Sequence, residues 1–245
     1  MHPRHCQILQ LVETHQKASV ALLAEQTGVS QVTIRQDLSA LEQQGYLRRI
    51  HGGAEALVQE SLNDRLNVHF DTKLRLAVRA SELVEDGESI LIEGGSANAL
   101  LARQLNSRAV TVITPNCAIA QHLREGRAQV ILLGGNYQSQ SDSLVGPLTL
   151  LGIEQLHFSK AFIGIDGCHP STGFTNKDLL RADVVRAILA KGQRNILLTN
   201  SSKFGQIYPA NLGAVEQFDT LITDRGIPDR DRQWLEQQQL KMLLV

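Results

Sequence analysis

From about Lys73 onward the chain repeats a pattern that few folds accept: short, continuous apolar runs separated by helical stretches. Val130-Ile131-Leu132-Leu133 offers no polar side chain to water, so a strand built from it is buried on both faces. The spacing predicts strands at Ser89–Ile92, Val110–Thr114, Gln129–Leu133, Ala161–Ile165, Asn195–Thr199, Thr220–Thr223 and Leu240–Val245. Helices are expected at Leu74–Val84, Asn98–Leu105, Asn116–Arg124, Asp178–Lys191 and Asp229–Gln237. Doubly buried strands joined through helices make a mostly parallel α/β sheet. A chain of 245 residues has room for such a domain and a smaller one, since single cores rarely grow beyond about 250 residues.

The first 57 residues follow a different grammar, and residues 58–72 between them and the α/β region read as a polar linker. Ile8, Leu9, Leu11 and Val12 give one short helix its apolar stripe, and Leu22 and Leu23 give a second. Gly28 breaks the pattern, and Ser30 is placed to cap a third helix that Gly45 ends. Two short extended runs flank Gly52-Gly53, a hairpin signal. Helix, glycine-centred turn, helix and hairpin together form a winged helix-turn-helix.

Stepping 100° per residue along the third helix puts Ile34, Leu38 and Leu41 on one face, and Val32, Gln36, Ser39 and Gln43 on the other. Thr33 and Arg35 flank that outer face, which is polar, cationic and free of acids. Such a face suits a DNA major groove, where Gln pairs bidentately with adenine and Arg with guanine. Gln36 and Arg35 are therefore the expected base readers. Ser30, Gln31 and Thr33 lie at the helix N-terminus, where backbone amides attract phosphate. Arg48, Arg49 and His51 make the hairpin a basic wing. The expected DNA contacts are thus Ser30, Gln31, Val32, Thr33, Arg35, Gln36, Ser39, Arg48, Arg49 and His51. Asp37 lies near the core face and is expected to pair with a neighbouring cation. A small helical dimerisation or docking domain would share the helices but has no need of the basic wing.

Other classes find no support. Net charge is −1, unlike a protein that coats nucleic acid indiscriminately. No run approaches the roughly 18 apolar residues of a membrane span, and the start lacks a secretory apolar core; a cytoplasmic location is expected. Cys6, Cys117 and Cys168 are isolated, and the eight histidines show no ligand spacing, so neither a disulfide framework nor a metal site is expected. No nucleophile elbow, P-loop or dinucleotide fingerprint occurs.

Arg4, Ile8, Val12, Ser30, Thr33-Ile34-Arg35 and Asp37-Leu38 resemble the amino-terminal signature of DeoR-type bacterial transcriptional regulators, and His51-Gly52-Gly53-Ala54 is similar to that family's wing. Gln36 departs from it, standing where many members carry a second basic residue. The resemblance continues over most of residues 73–225. It implies a sugar-phosphate-isomerase-like fold used to sense a phosphorylated metabolite, with loops beginning at Gly94, Asp166 and Ser201 around the effector. It also implies a repressor of a carbohydrate-related operon, double-stranded operator DNA as partner, a homo-oligomer, and no cofactor beyond a phosphorylated sugar effector.

The residues can be read without the family. Glu93-Gly94-Gly95-Ser96-Ala97-Asn98 follows a strand and opens a helix, the arrangement of an anion cradle. A plain strand-to-helix loop would share it. Gly135, Asp166, Thr175 and Lys203 lie at other strand ends or in the loops that follow, where open α/β sheets bind ligands; Lys203 suits a phosphate and Asp166 sugar hydroxyls. Turn or capping roles account equally for any one of them. Many family members carry an acid near position 181, a lysine at 185 and an aspartate at 200. Here stand Arg181, Val185 and Asn200. Val185 cannot move a proton and Arg181 is no base at neutral pH, so isomerase catalysis is not expected. Arg181, Lys177 and Arg186 are alternative sources of charge for a phosphate. The competing readings are an isomerase with an appended docking domain, and a DNA-binding protein that ignores effectors.

Overall fold

The computed structural model describes residues 3–15, 17–43, 47–56, 65–66 and 68–245. The expected helix stop at Gly45, the residue Tyr46 and most of the 58–72 linker lie outside them, as do the side chains of Cys6 and Gln43. The chain divides into two compact units, Met1–Glu60 and Ser61–Val245.

The first unit contains α1 (Pro3–His15), β1 (Lys17–Ser19), α2 (Val20–Thr27), α3 (Gln31–Gln43), β2 (Leu47–Ile50) and β3 (Gly53–Ala56). The Ser19 hydroxyl accepts the Leu22 N–H at 3.1 Å and caps α2. Gly28 ends α2 at φ +69°, with its N–H on the Ala24 carbonyl. The Ser30 hydroxyl accepts the Thr33 N–H at 3.1 Å and starts α3. Ile8, Leu23, Ile34, Leu38, Leu41 and Leu47 are almost wholly buried together, each contributing about 1.5–3 kcal/mol by removing its side chain from water. Strand β1 was not expected. It pairs antiparallel with β3, which pairs in turn with β2. Gly53 consequently sits in the sheet and not in the turn: a Cβ there would lie 2.3 Å from the Ala18 carbonyl oxygen.

Asp37 fastens α3 to α1. Its carboxylate accepts Arg4 Nε at 2.6 Å and Nη2 at 3.1 Å, and His5 Nε2 lies 3.1 Å away.

The second unit is built on seven parallel strands in the order β15-β14-β12-β9-β4-β5-β6. These are β4 (Ser89–Ile92), β5 (Thr111–Thr114), β6 (Gln129–Leu132), β9 (Lys160–Ile163), β12 (Arg194–Leu198), β14 (Thr220–Thr223) and β15 (Lys241–Leu244). Side chains alternate between its faces. Ile90, Ile92, Val112, Phe162, Ile196, Leu198 and Ile222 pack with α4 (Phe70–Ser81), α5 (Ser96–Leu105) and α6 (Cys117–Leu123). Leu91, Ile113, Ile163, Leu197 and Leu221 pack with α7 (Pro147–Gln155), α8 (Leu179–Ala190) and α9 (Asp229–Gln237). Val185 is in that second core.

Several elements differ from expectation. Helix α4 begins at Phe70, inside the stretch read as linker. Helix α7 was not among the expected helices; two of its leucines, Leu148 and Leu151, face outward and blur its apolar stripe. Short strands β7 (Asn136–Gln138) and β8 (Ser143–Val145) form a hairpin, and β10 (Gly167–His169), β11 (Gly173–Asn176) and β13 (Ala210–Asn211) form a small separate sheet. Strands of two to four residues leave little period to read.

The chain runs outward from β4 through β5 to β6, then returns to β9 and proceeds the other way. The order therefore reverses between β4 and β9, which is where ligands bind in such sheets, beyond the strands' carboxyl ends.

One prediction concerns Asp37. Arg4, through its hydrogen bonds, outweighs burial and holds the carboxyl below its ordinary value of 3.8. A depressed native pKa stabilises fully above the unfolded value and loses that contribution as pH falls through the native one. Asp37→Asn is expected to destabilise the amino-terminal unit by about 1–3 kcal/mol at pH 7. In urea titrations the difference from wild type should shrink as the pH is lowered below 3.8. An equal deficit at every pH would contradict this role.

Candidate functional site

The amino-terminal unit presents α3 as its outer ridge. Ser30, Gln31, Arg35 and Gln36 are exposed, and Val32 is 62% exposed despite being apolar. Thr33 is half-buried, its hydroxyl 2.9 Å from that of Ser30. Ser39 has a different task from the one expected. It donates to the Arg35 carbonyl at 3.0 Å and accepts Arg49 Nη1 at 2.6 Å. The Arg49 N–H meets Glu42 at 2.8 Å, so β2 is stitched along the end of α3. Arg48 is turned to the opposite face of the wing and paired with Glu55. Period-two alternation thus separates two neighbouring arginines that sequence reasoning treated as one group. His51 is exposed in the hairpin turn.

In the second unit, residues following β4 and β9 meet at the reversal. Gly94 is buried beside the Asn116 amide, and Gly95 adopts φ +94° at the start of α5. Ser96 is half-buried and Ala97 buried. A Cβ on Gly164 would lie 2.9 Å from the Gly94 carbonyl, so the two loops are in close contact. Asn98 has no exposed surface, and its amide donates to the Gly94 carbonyl at 2.7 Å. It shapes the loop from behind.

Asp166 follows β9 and is partly accessible. Burial pushes its carboxyl upward, but Arg181, Lys203 and the Lys177 N–H hold it below the ordinary value. Asp166 and Lys203 are therefore brought within electrostatic reach of each other. The turn carrying Lys203 is anchored by Ser201, whose N–H and hydroxyl meet Asp224 at 2.6 and 2.7 Å. Two expected contacts face elsewhere. The Thr175 hydroxyl is buried and accepts the Tyr208 N–H at 3.1 Å. Gly135 packs so closely on Thr149 and the Val145 carbonyl that a Cβ would collide with both.

The largest correction concerns Arg181. Instead of offering charge to a phosphate, it is buried and donates to Glu93 at 2.9 Å from Nη2. Glu93, Asp166 and Asp178 raise its pKa against the opposing effect of burial. Arg186 is likewise occupied, by Asp183 and the Asn211 carbonyl. Lys177 remains exposed, with its ammonium 5.0 Å from the centre of the Tyr208 ring. Glu93 carried no weight in the sequence reading, because nothing local signals a partner 88 residues away. Among the described residues no group of three His, Cys, Asp or Glu side chains is placed to hold a metal, and no helix is long and apolar enough to cross a membrane.

A winged helix-turn-helix and a parallel α/β body with a charged loop cluster at its strand reversal are the parts of a DNA-binding regulator that carries a sensor domain. The comparisons identify its family. A "DeoR-like helix-turn-helix domain" matches residues 4–60, and a "DeoR C terminal sensor domain" matches residues 68–225. The chain belongs to the DeoR family of transcriptional regulators, which are not enzymes. It is 31% identical to the lactose phosphotransferase system repressor of Streptococcus mutans, over 89% of this chain and 90% of that one. It is 30% identical to the glycerol-3-phosphate regulon repressor of Escherichia coli, over 92% and 91%. Among solved structures it is similar to ribose 5-phosphate isomerase A of Methanocaldococcus jannaschii, with TM-score 0.41 and 20% identity over 56% of this chain and 55% of that one.

The Arg181–Glu93 pair yields a second prediction. Arg181→Leu or Glu93→Leu alone leaves a buried charge unpaired and should cost about 3–5 kcal/mol. The double variant should cost clearly less than the two singles added. Strict additivity in urea unfolding would mean that the pair is not coupled.

Proposed function

We propose that this regulator is a repressor of a carbohydrate-related operon, controlled by a phosphorylated sugar metabolite. Residues 1–57 form the head that reads operator DNA, and the second unit, with α4 beginning at Phe70, forms the sensing and oligomerising body. The observation that carries the reading is the exposed, acid-free outer face of α3. In this reading Gln36 and Arg35 meet bases, and Ser30, Gln31 and Thr33 meet phosphate. Ser39 and Arg49 set the wing against that helix.

The effector reading is supported by the loop cluster at the β4–β9 reversal. Gly95 and Ser96 open α5 with backbone amides suited to an anion, Lys203 supplies a cation, and Asp166 is an ionised acceptor for hydroxyls. The names of the two repressors above point the same way. An effector moves an equilibrium only by its differential affinity, so an inducing sugar phosphate binds the DNA-free form better. A homo-oligomer, with two heads on a repeated site, multiplies a modest single-head affinity.

Arg35→Ala is expected to weaken operator binding by about 1–3 kcal/mol, measured by fluorescence anisotropy. An unchanged affinity would remove α3 as the reading element. For the sensor, thermal shift against a panel of sugar phosphates should single out one compound. At about 100 times its dissociation constant it should stabilise by about 2.7 kcal/mol. No shift with any of them would overturn the effector assignment while leaving the DNA reading intact.

A further inference from the structure

Four outward-facing leucines of the second unit stand on two neighbouring helices. Leu148 and Leu151 on α7 are 68% and 52% exposed, and Leu179 and Leu180 on α8 are 61% and 46% exposed. The two helices lie side by side and run the same way. At their starts, Gly146 before α7 sits beside the Asn136 side chain of β7, and Gln138 of the same strand donates to Asp178, the cap of α8, at 2.9 Å. At their ends, the Lys191 ammonium after α8 donates to the Glu154 carbonyl in the last turn of α7 at 2.8 Å. All four leucines belong to the first two turns, so they stand at one level and make one apolar face.

That face carries no exposed charge. Residues 147–152 include no ionisable side chain, and Arg181, the charged residue of the first turn of α8, is buried on Glu93. Leucines at this exposure present a few hundred Å² of apolar surface, the size at which a patch marks an interaction site. It would serve as the apolar centre of an interface that buries about 800 Å² per partner. Next along α8, in the same stripe as Leu179, stand Asp183 and Arg186, paired with each other and about half exposed. They are opposite in sign and three residues apart. A twofold axis presents the same two residues in reverse order, so acid faces base across it. The face is therefore complementary to itself, and not to a partner with one predominant charge.

We propose that this face of α7 and α8 docks a second copy of the chain, with the leucines at its centre and the Asp183 and Arg186 charges exchanged between copies. It names a surface for the homo-oligomer and rests on that reading. Pairing of two bodies supplies the second head that a repeated site needs. The face also adjoins the candidate effector loops: the Lys177 N–H, two residues before Leu179, donates to Asp166 at 3.1 Å.

The test is sedimentation velocity of the full chain over a concentration series, with circular dichroism to verify folding. Wild type should self-associate. Leu148→Glu and Leu179→Glu, at exposed positions that folding does not need, should each weaken association at least about tenfold, because each puts a carboxylate into a closing apolar face. Asp183→Arg should also weaken it, and adding Arg186→Asp should restore it. Leu132→Glu on β6 and Val78→Glu on α4, at positions 45% and 42% exposed, should leave association unchanged. Association that survives both variants of the α7–α8 face, or that fails with Leu132→Glu instead, would overturn the proposal while keeping the oligomer. A wild type that stays monomeric would overturn both and leave the face to a different partner.

Discussion

The body of this regulator depends on one buried ion pair. Arg181, in the first turn of α8, reaches Glu93 at the end of β4 and so links the two halves of the sheet at the point where strand order reverses. A guanidinium and a carboxylate removed from water are costly apart and tolerable together. Their pairing has a consequence for the neighbouring loops. Arg181 also acts on Asp166, which stays ionised beside Lys203. The charge state of the candidate ligand cluster is therefore set from inside the fold. In the effector reading proposed above, the cation offered to a phosphate is Lys203 or Lys177, because Arg181 is occupied by Glu93.

The head applies a similar economy of charge. Asp37 binds Arg4 and joins α1 to α3, and Glu55 binds Arg48 and Lys17 across the wing. Each acid is buried and each fixes cations in place. The outer face of α3 is left to Gln31, Val32, Arg35 and Gln36, all exposed. Regularity of the strands does the sorting: alternation sends Arg49 toward α3 and Arg48 away from it.

Much of this was legible in the residues. Apolar strands announced the parallel sheet, although Val130-Ile131-Leu132-Leu133, expected to be buried on both faces, supplies its edge strand β6, where Leu132 is 45% exposed. The Ile34, Leu38 and Leu41 stripe oriented α3 correctly because burial follows helical period. Ser30 capped the helix where its position indicated. What escaped reading lacked a local signature. Strand β1 is three residues long and is recognisable only by its partner β3. The amphipathic stripe of α7 is blurred by outward leucines. Arg181 and Glu93 find each other through topology, so a reading by position alone assigned the arginine to a ligand. Thr175 and Gly135 occupied loops of the right kind, yet their surroundings are filled by Tyr208 and Thr149.

The central claim is that α3 reads a specific duplex sequence and that a small phosphorylated sugar controls the reading. It is tested most directly by selecting bound fragments from a library of the organism's own genomic DNA, with and without a sugar-phosphate panel. The account predicts enrichment of a few fragments that share a repeated site, lost when one phosphorylated sugar is present. Enrichment of no fragment over bulk DNA would contradict it.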